Sequence, residues 1–207
     1  MPLLRKPTAP PSGHPKPTLT DVLRGLSSAT ADERWAAARA ADDIPGVAPA
    51  LAAALPQETD PRVREAMFTS LARLGTRDSI EGILPMLRSD DAALRTGALD
   101  ALRTSVIATH ELLPQLLKDS DADVRILSCE LARSLPAEEA NRCLCALLAE
   151  ESKVNVCAAA IEVLAEVGNE ASLPALALCE RRFAHVDFLT FAIRTATERI
   201  SVAGNRE

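Results

Sequence analysis

The feature that most constrains the fold of this chain is a short phrase that recurs about every thirty residues. The phrase is an aspartate, two further residues, an apolar residue and an arginine. It reads DPRVR from Asp60, DAALR from Asp91 and DADVR from Asp121. In each copy the aspartate is suited to cap the start of a helix, because its side chain accepts hydrogen bonds from free backbone N–H groups. The phrase therefore predicts a helix at the start of each repeat.

A second phrase lies between these helices and predicts another helix in every repeat. It is Leu-Pro-x-Leu from Leu84, Leu113 and Leu173, with variants from Ala48 and Leu144. A lone helical hairpin cannot bury its apolar face, whereas stacked hairpins share one long core. We therefore predict an all-α fold, an α-solenoid (superhelix) of about five to six stacked helical hairpins.

Apolar residues keep the same place in successive repeats, which predicts where the core lies. The apolar residues of the first phrase are Val63, Leu94 and Val124, with Trp35 as an earlier member and Val156 as a later one. Five positions after each anchor a second apolar column follows, and we expect it to be buried. This column is Phe68, Leu99, Cys129 and Ile161.

The arginines of the phrase predict ionic contacts between repeats. Arg64, Arg95 and Arg125 stand four residues after the aspartates, so each can pair along its own helix or with an acid of the neighbouring repeat. In the fifth repeat Lys153 and Cys157 replace the aspartate and the arginine. We therefore expect the series of ion pairs between successive repeats, which we call the ladder, to end there.

Composition narrows the classes of function. The 207 residues are 47% hydrophobic but only 2% aromatic, and the net charge is −6. An acidic chain with few adjacent basic residues is a poor partner for a phosphate backbone, so we expect no nucleic-acid binding. No run of apolar residues reaches the length of a membrane span. We expect a cytoplasmic protein with reduced cysteines, and the preference for arginine and alanine suggests a bacterial, GC-rich genome.

Three segments follow from this pattern. Residues 1–17 contain six prolines, which forbid regular helix and predict a disordered tail. Residues 18–201 form the predicted repeat domain, and residues 202–207 form a predicted C-terminal tail.

The repeats resemble the HEAT-like repeats, of roughly thirty residues, found in phycobilisome-lyase-type proteins. The resemblance rests on DPRVREAMFTSLARLG (60–75), DAALRTGALDAL (91–102) and DADVRILSCELARSL (121–135), and it spans about residues 19–200. It implies a binding scaffold or adaptor, with an accessory or lyase-type chaperone for a tetrapyrrole chromophore protein as the alternative. An enzyme of the HEAT-like DNA glycosylase type is disfavoured by the acidic charge and the scarcity of aromatic residues.

The resemblance also implies a binding groove, because the second helix of each pair lines the concave surface in such solenoids. The third residue of each Leu-Pro phrase is then expected to face the groove. These residues are Ala50, Met86, Gln115, Ala146 and Ala175. They are small or flexible and uncharged, so we expect them to receive a helix or an extended segment of a partner protein.

No set of residues predicts catalysis or a cofactor. The five cysteines lie between Cys129 and Cys179, and we expect most of them to be buried as small apolar residues. A metal or redox site around Cys145, Cys157 and Cys179 is the alternative, because Cys145 and Cys157 replace residues that recur in other repeats. We expect no metal and no enzymatic activity.

The last predicted helix differs from its predecessors. Val186, Leu189, Ile193, Ala196 and Ile200 already form a complete apolar stripe that can cover the preceding repeat. Two further aromatic residues lie off the centre of that stripe. These residues are Phe188 and Phe191, and we expect them either to form an interface for self-association or a partner, or to be covered by the terminal segments.

Overall fold

The computed structural model describes residues 17–42, 44–105 and 107–204, and this part of the chain is all-α. The predicted proline-rich tail lies outside the described residues, apart from Pro17. At the other end, the last helix continues to Gly204, so the predicted domain boundary at residue 201 is three residues too early.

The helices form two layers, as an α-solenoid requires. The first layer comprises α2 (Ala31–Arg39), α4 (Pro61–Leu74), α6 (Ala92–Arg103), α8 (Ala122–Leu131), α10 (Val154–Val167) and α12 (Asp187–Gly204). The second layer comprises α1 (Leu19–Leu26), α3 (Ala48–Ala54), α5 (Arg77–Ile83), α7 (Leu113–Leu116), α9 (Ala137–Glu150) and α11 (Leu173–Arg182). Each first-layer helix contacts the next one in that layer. The predicted stack of helical hairpins is confirmed: α2 to α11 make five hairpins, flanked by α1 and α12.

Local sequence starts the first-layer helices as predicted. Asp60, Asp91 and Asp121 are N-caps whose side chains accept hydrogen bonds of 2.9, 2.8 and 2.9 Å from the backbone two residues later. Pro61 occupies the first turn of α4, where its missing N–H costs little. Lys153 at the start of α10 makes no side-chain cap.

The core lies between the layers and contains the predicted columns. Val63, Leu94, Val124 and Val156 are buried, and so are Phe68, Leu99, Cys129 and Ile161. Trp35 is not part of this column, because 40% of its surface is exposed. The N-cap of α2 is Thr30, and Arg34 stands four residues after it, as Arg64 stands four residues after the cap Asp60 of α4. Trp35 is one residue beyond Arg34, on the solvent side of the helix.

The arginine that follows each anchor fastens the loop in front of its own helix. Its guanidinium donates to the carbonyl oxygen six residues earlier, at the end of the preceding second-layer segment. The pairs are Arg34 with Ser28 (3.0 Å), Arg64 with Glu58 (2.5 Å), Arg95 with Ser89 (2.6 Å) and Arg125 with Asp119 (2.7 Å). Cys157 points its thiol the same way, with Sγ 3.7 Å from the carbonyl oxygen of Glu151.

Three of these arginines also reach the next repeat, which confirms the predicted ladder of ion pairs for Arg64 and Arg125 and adds Arg34, which was not predicted. Arg34 pairs with Glu58 at 2.7 Å, Arg64 with Asp91 at 2.7 Å, and Arg125 with Glu151 at 2.7 Å. The prediction is wrong for Arg95, which makes no ion pair with the described residues. Asp119, which precedes the next first-layer helix as Glu151 precedes α10, pairs with Arg88.

Two glutamates at these seams were not anticipated from the sequence. Glu58 and Glu151 are buried, and each carboxylate accepts hydrogen bonds from the two backbone N–H groups that follow it. The hydrogen bond from Arg34 lowers the pKa of Glu58. Burial acts to raise the pKa of Glu151, but the hydrogen bonds from Arg125 and Lys153 outweigh it, so that pKa is also lowered. Both side chains therefore lock a helix start to the preceding repeat.

Candidate functional site

The predicted groove residues do not share one environment. Gln115 and Ala146 are exposed, Ala50 and Ala175 are half-buried, and Met86 is buried with 8% of its surface accessible. The prediction is wrong for Met86, because Leu84–Arg88 forms a 3₁₀-helix. Three residues per turn rather than 3.6 change the direction of successive side chains, which places Met86 in the core.

A cleft between α7 and α9 includes one of the predicted residues. Its volume is about 590 Å³, and its apolar lining comes from Pro114, Leu117, Ala146 and Leu147. We call this region the α7–α9 cleft. Below it, the buried pair of Arg125 and Glu151 joins the two repeats. The cleft thus combines an apolar floor with a fixed separation between its walls.

Charged side chains line the rim of the α7–α9 cleft. Lys118 and Glu150 are exposed and make no ion pair with the described residues. The side chain of Arg142 is 76% exposed and lies 3.7 Å from Glu139, which is a loose pairing. Because exposed pairs of this kind contribute little, two cations at the rim are available to a bound carboxylate.

Two polar contacts join second-layer segments of neighbouring repeats near this cleft. Arg77 pairs with Glu111 at 2.6 Å, and His110 Nδ1 lies 3.2 Å from a carboxylate oxygen of Glu139. His110 belongs to a turn of π-helix, Ile107–Leu112, that leads into α7. The His110 side chain is exposed.

The first layer carries a second groove that the sequence did not reveal. It lies between α4 and α6, has a volume of about 690 Å³, and contains Phe68 and Gly97 in its lining. A Cβ atom at position 97 would lie 2.4 Å from the ring of Phe68, so only glycine permits this approach. An adjoining groove between α2 and α4 contains Trp35, whose ring lies 5.2 Å from the guanidinium carbon of Arg39. A glycine in mid-helix is the one sequence signal that could have indicated the first of them.

The cysteines fall into separate environments. Burial raises the pKa of Cys129 to about 12. The thiols of Cys157 and Cys179 are both buried. Their interaction raises the pKa of Cys157 and, together with the charge of Arg182, lowers the pKa of Cys179. Cys145 instead donates to Asn141 Oδ1 at 3.2 Å.

The predicted trio around Cys145, Cys157 and Cys179 is therefore not assembled, although two of its members meet. Within residues 17–42, 44–105 and 107–204, no group of three histidine, cysteine, aspartate or glutamate side chains is placed to hold a metal ion.

The surface of α12 has two exposed aromatic residues, at the positions singled out in the sequence. Phe188 is 56% exposed and Phe191 is 73% exposed. The predicted apolar stripe on the other side of the helix is confirmed, since Leu189, Ile193, Ala196 and Ile200 are buried and Val186 is half-buried. None of the described helices is long and apolar enough to cross a lipid bilayer.

A comparison with protein families agrees with this architecture. The family profile of HEAT repeats matches residues 17–103 and 109–181. A search of curated proteins gave no match. Among solved structures, an engineered protein has 16% sequence identity and a TM-score of 0.40, covering 89% of this chain and 96% of its own. A designed armadillo repeat protein has 16% identity and a TM-score of 0.39, covering 88% of this chain and 99% of its own.

Proposed function

This chain belongs to the HEAT repeat family, and we propose that it is a non-catalytic scaffold or adaptor that holds a segment of a partner protein on its second helical layer. Solenoids of stacked repeats present extended surfaces for binding. The α7–α9 cleft is the part of that layer best suited to anchor a partner. The concave groove that the HEAT resemblance implies then contains this anchor point, at Ala146.

The observation that carries the proposal is the α7–α9 cleft, with its apolar floor and two available cations. A floor of Pro114, Leu117, Ala146 and Leu147 accepts an apolar side chain, and its volume of about 590 Å³ falls in the range of small binding sites. Lys118 and Arg142 at the rim favour a carboxylate beside that apolar anchor. The partner is accordingly a helix or extended segment with an apolar residue flanked by aspartate or glutamate.

A selection of displayed peptides tests this proposal directly. The full chain is used as bait for a random peptide library, and selected peptides are synthesised for measurement by fluorescence anisotropy. We expect an apolar residue next to an acidic one among the selected sequences. Ala146→Glu should weaken their binding by at least about tenfold, because it places a charge on the apolar floor.

A matched control comes from α3, where Ala53 is exposed in the same layer but distant from the cleft. Ala53→Glu adds the same charge and should leave the affinity unchanged. Both variants should fold, since both alanines are exposed. Peptides that bind Ala146→Glu as tightly as the wild type would show that the anchor lies elsewhere.

A further inference from the structure

The last described helix, α12, is apolar on two opposite faces. One face covers α10 with Leu189, Ile193, Ala196 and Ile200. The other face points away from the described residues and still carries exposed Phe188, Phe191 and Val202. A helix that ends a solenoid normally has a polar outer face, because nothing stacks on it. The outer face of α12 departs from that rule.

The outer residues of α12 follow the spacing of a helix that packs against another helix. Phe188, Phe191, Thr195, Glu198 and Val202 are separated by three, four, three and four residues. This alternation places all five in one stripe along the helix. The helix has 18 residues, and the stripe from Phe188 to Val202 extends about 21 Å along it. We call these five residues the outer stripe.

The opposite end of the described solenoid is built differently. The exposed residues of α1 are Thr20, Asp21, Leu23 and Arg24, of which only Leu23 is apolar. Asp21 and Arg24 are paired with each other. This end therefore offers no apolar stripe to receive α12, which disfavours head-to-tail stacking of copies. The alternative is a contact between the outer stripes of two copies, and such isologous contacts close into dimers.

We propose that the outer stripe is an isologous homodimer interface, in which α12 packs antiparallel to α12 of a second copy. With the two-fold axis at Thr195, Phe188 lies opposite Val202 of the second copy, because each is seven residues from Thr195.

The charges beside the outer stripe are self-complementary in this arrangement. Arg194 and Glu198 of the second copy are offset by only about 3 Å along the helix axes, at about 1.5 Å per residue. Glu198 belongs to the outer stripe and Arg194 lies beside it, both on the same side of its centre line, and like sides face each other in an antiparallel pair. Glu198 makes no ion pair with the described residues, and Arg194 lies 3.0 Å from Glu180 with its side chain 72% exposed. Each pairing occurs twice across the two-fold axis.

A single helix pair is smaller than a standard interface of about 800 Å² per partner, so the dimer is weak. We expect a dissociation constant on the order of 10 µM. Sedimentation velocity on the full chain, from about 1 to about 300 µM, should show the mass rise from one chain towards two as the concentration passes through that value. If the mass stays that of a single chain at every concentration, the proposal is overturned. This holds whether the stripe is bare or covered by residues outside the described part.

Two sets of variants test the geometry. Phe188→Ser with Phe191→Ser should raise the dissociation constant at least about tenfold, whereas Leu23→Ser at the other end should leave it unchanged. A dimer that persists in the double variant overturns the proposal. Circular dichroism and thermal unfolding confirm that these exposed changes leave the fold intact.

A charge exchange tests the antiparallel orientation. Glu198→Arg alone and Arg194→Glu alone should each weaken the dimer, because each creates two like-charge contacts across the axis. The combined variant should recover most of the wild-type affinity. This rescue depends on Arg194 facing Glu198 of the other copy, so its absence overturns the antiparallel arrangement.

Discussion

The buried ion pair between Arg125 and Glu151 offers the sharpest test of how the repeats are joined. Arg125 donates to both carboxylate oxygens of Glu151, at 2.7 and 3.2 Å, and the side chains are only 12% and 5% exposed. Arg95 occupies the same place one repeat earlier and makes the same bond to the carbonyl six residues before it, but it has no acidic partner among the described residues. The two arginines therefore form a matched pair that differs in the contact across the seam.

We expect Arg125→Ala to destabilise the protein by about 3 kcal/mol, because removing one partner of a buried pair leaves the other charge uncompensated. That figure is at the lower end for such pairs, since Glu151 keeps two backbone hydrogen bonds. Arg95→Ala loses a hydrogen bond to a carbonyl and should cost about 1 kcal/mol. The difference of about 2 kcal/mol is the cost of leaving Glu151 without its partner across the seam.

Urea denaturation followed by circular dichroism at 222 nm measures both variants. Because repeat proteins can unfold in stages, the curves are fitted with a model that treats repeats and their interfaces separately. Glu151→Gln, alone and with Arg125→Ala, completes a double-mutant cycle that isolates the pairwise free energy. If Arg125→Ala costs no more than Arg95→Ala, the ion pair adds nothing to the stacking of these repeats, and the reasoning fails.

Three further predictions concern single positions. Glu58 has a lowered pKa, so its carboxylate stabilises the folded state above the unfolded pKa of about 4.5, and this contribution is lost as the pH falls through the folded pKa. In Glu58→Gln the free energy of unfolding should therefore fall less steeply between about pH 6 and about pH 3, as measured by urea denaturation at each pH. Gly97→Val should lower the melting temperature because its side chain collides with Phe68, and an unchanged temperature would show that α4 and α6 separate freely. Met86→Glu should unfold its repeat, whereas Ala146→Glu should leave the circular dichroism spectrum intact, because only the methionine is buried.

Much of the architecture could be predicted from the sequence because it depends on residues close together in the chain. The aspartate caps at Asp60, Asp91 and Asp121 need only the backbone two residues away, and the apolar columns need only a helical period. These signals repeat, so each supports the others. Of the residues that the HEAT resemblance placed in a groove, Ala146 lines the α7–α9 cleft and Gln115 is exposed in the same layer.

Contacts between repeats depended instead on the rotation and spacing of helices, which no single phrase encodes. The arginine of the repeated phrase pairs with an acid at Arg125 but not at Arg95, and Asp119 in that repeat pairs with Arg88. Met86 turns inward because its segment tightens to a 3₁₀-helix. The α7–α9 cleft, likewise, is a space between two helices. Its depth depends on their separation, which the packing of the whole stack fixes and the sequence of neither helix alone determines.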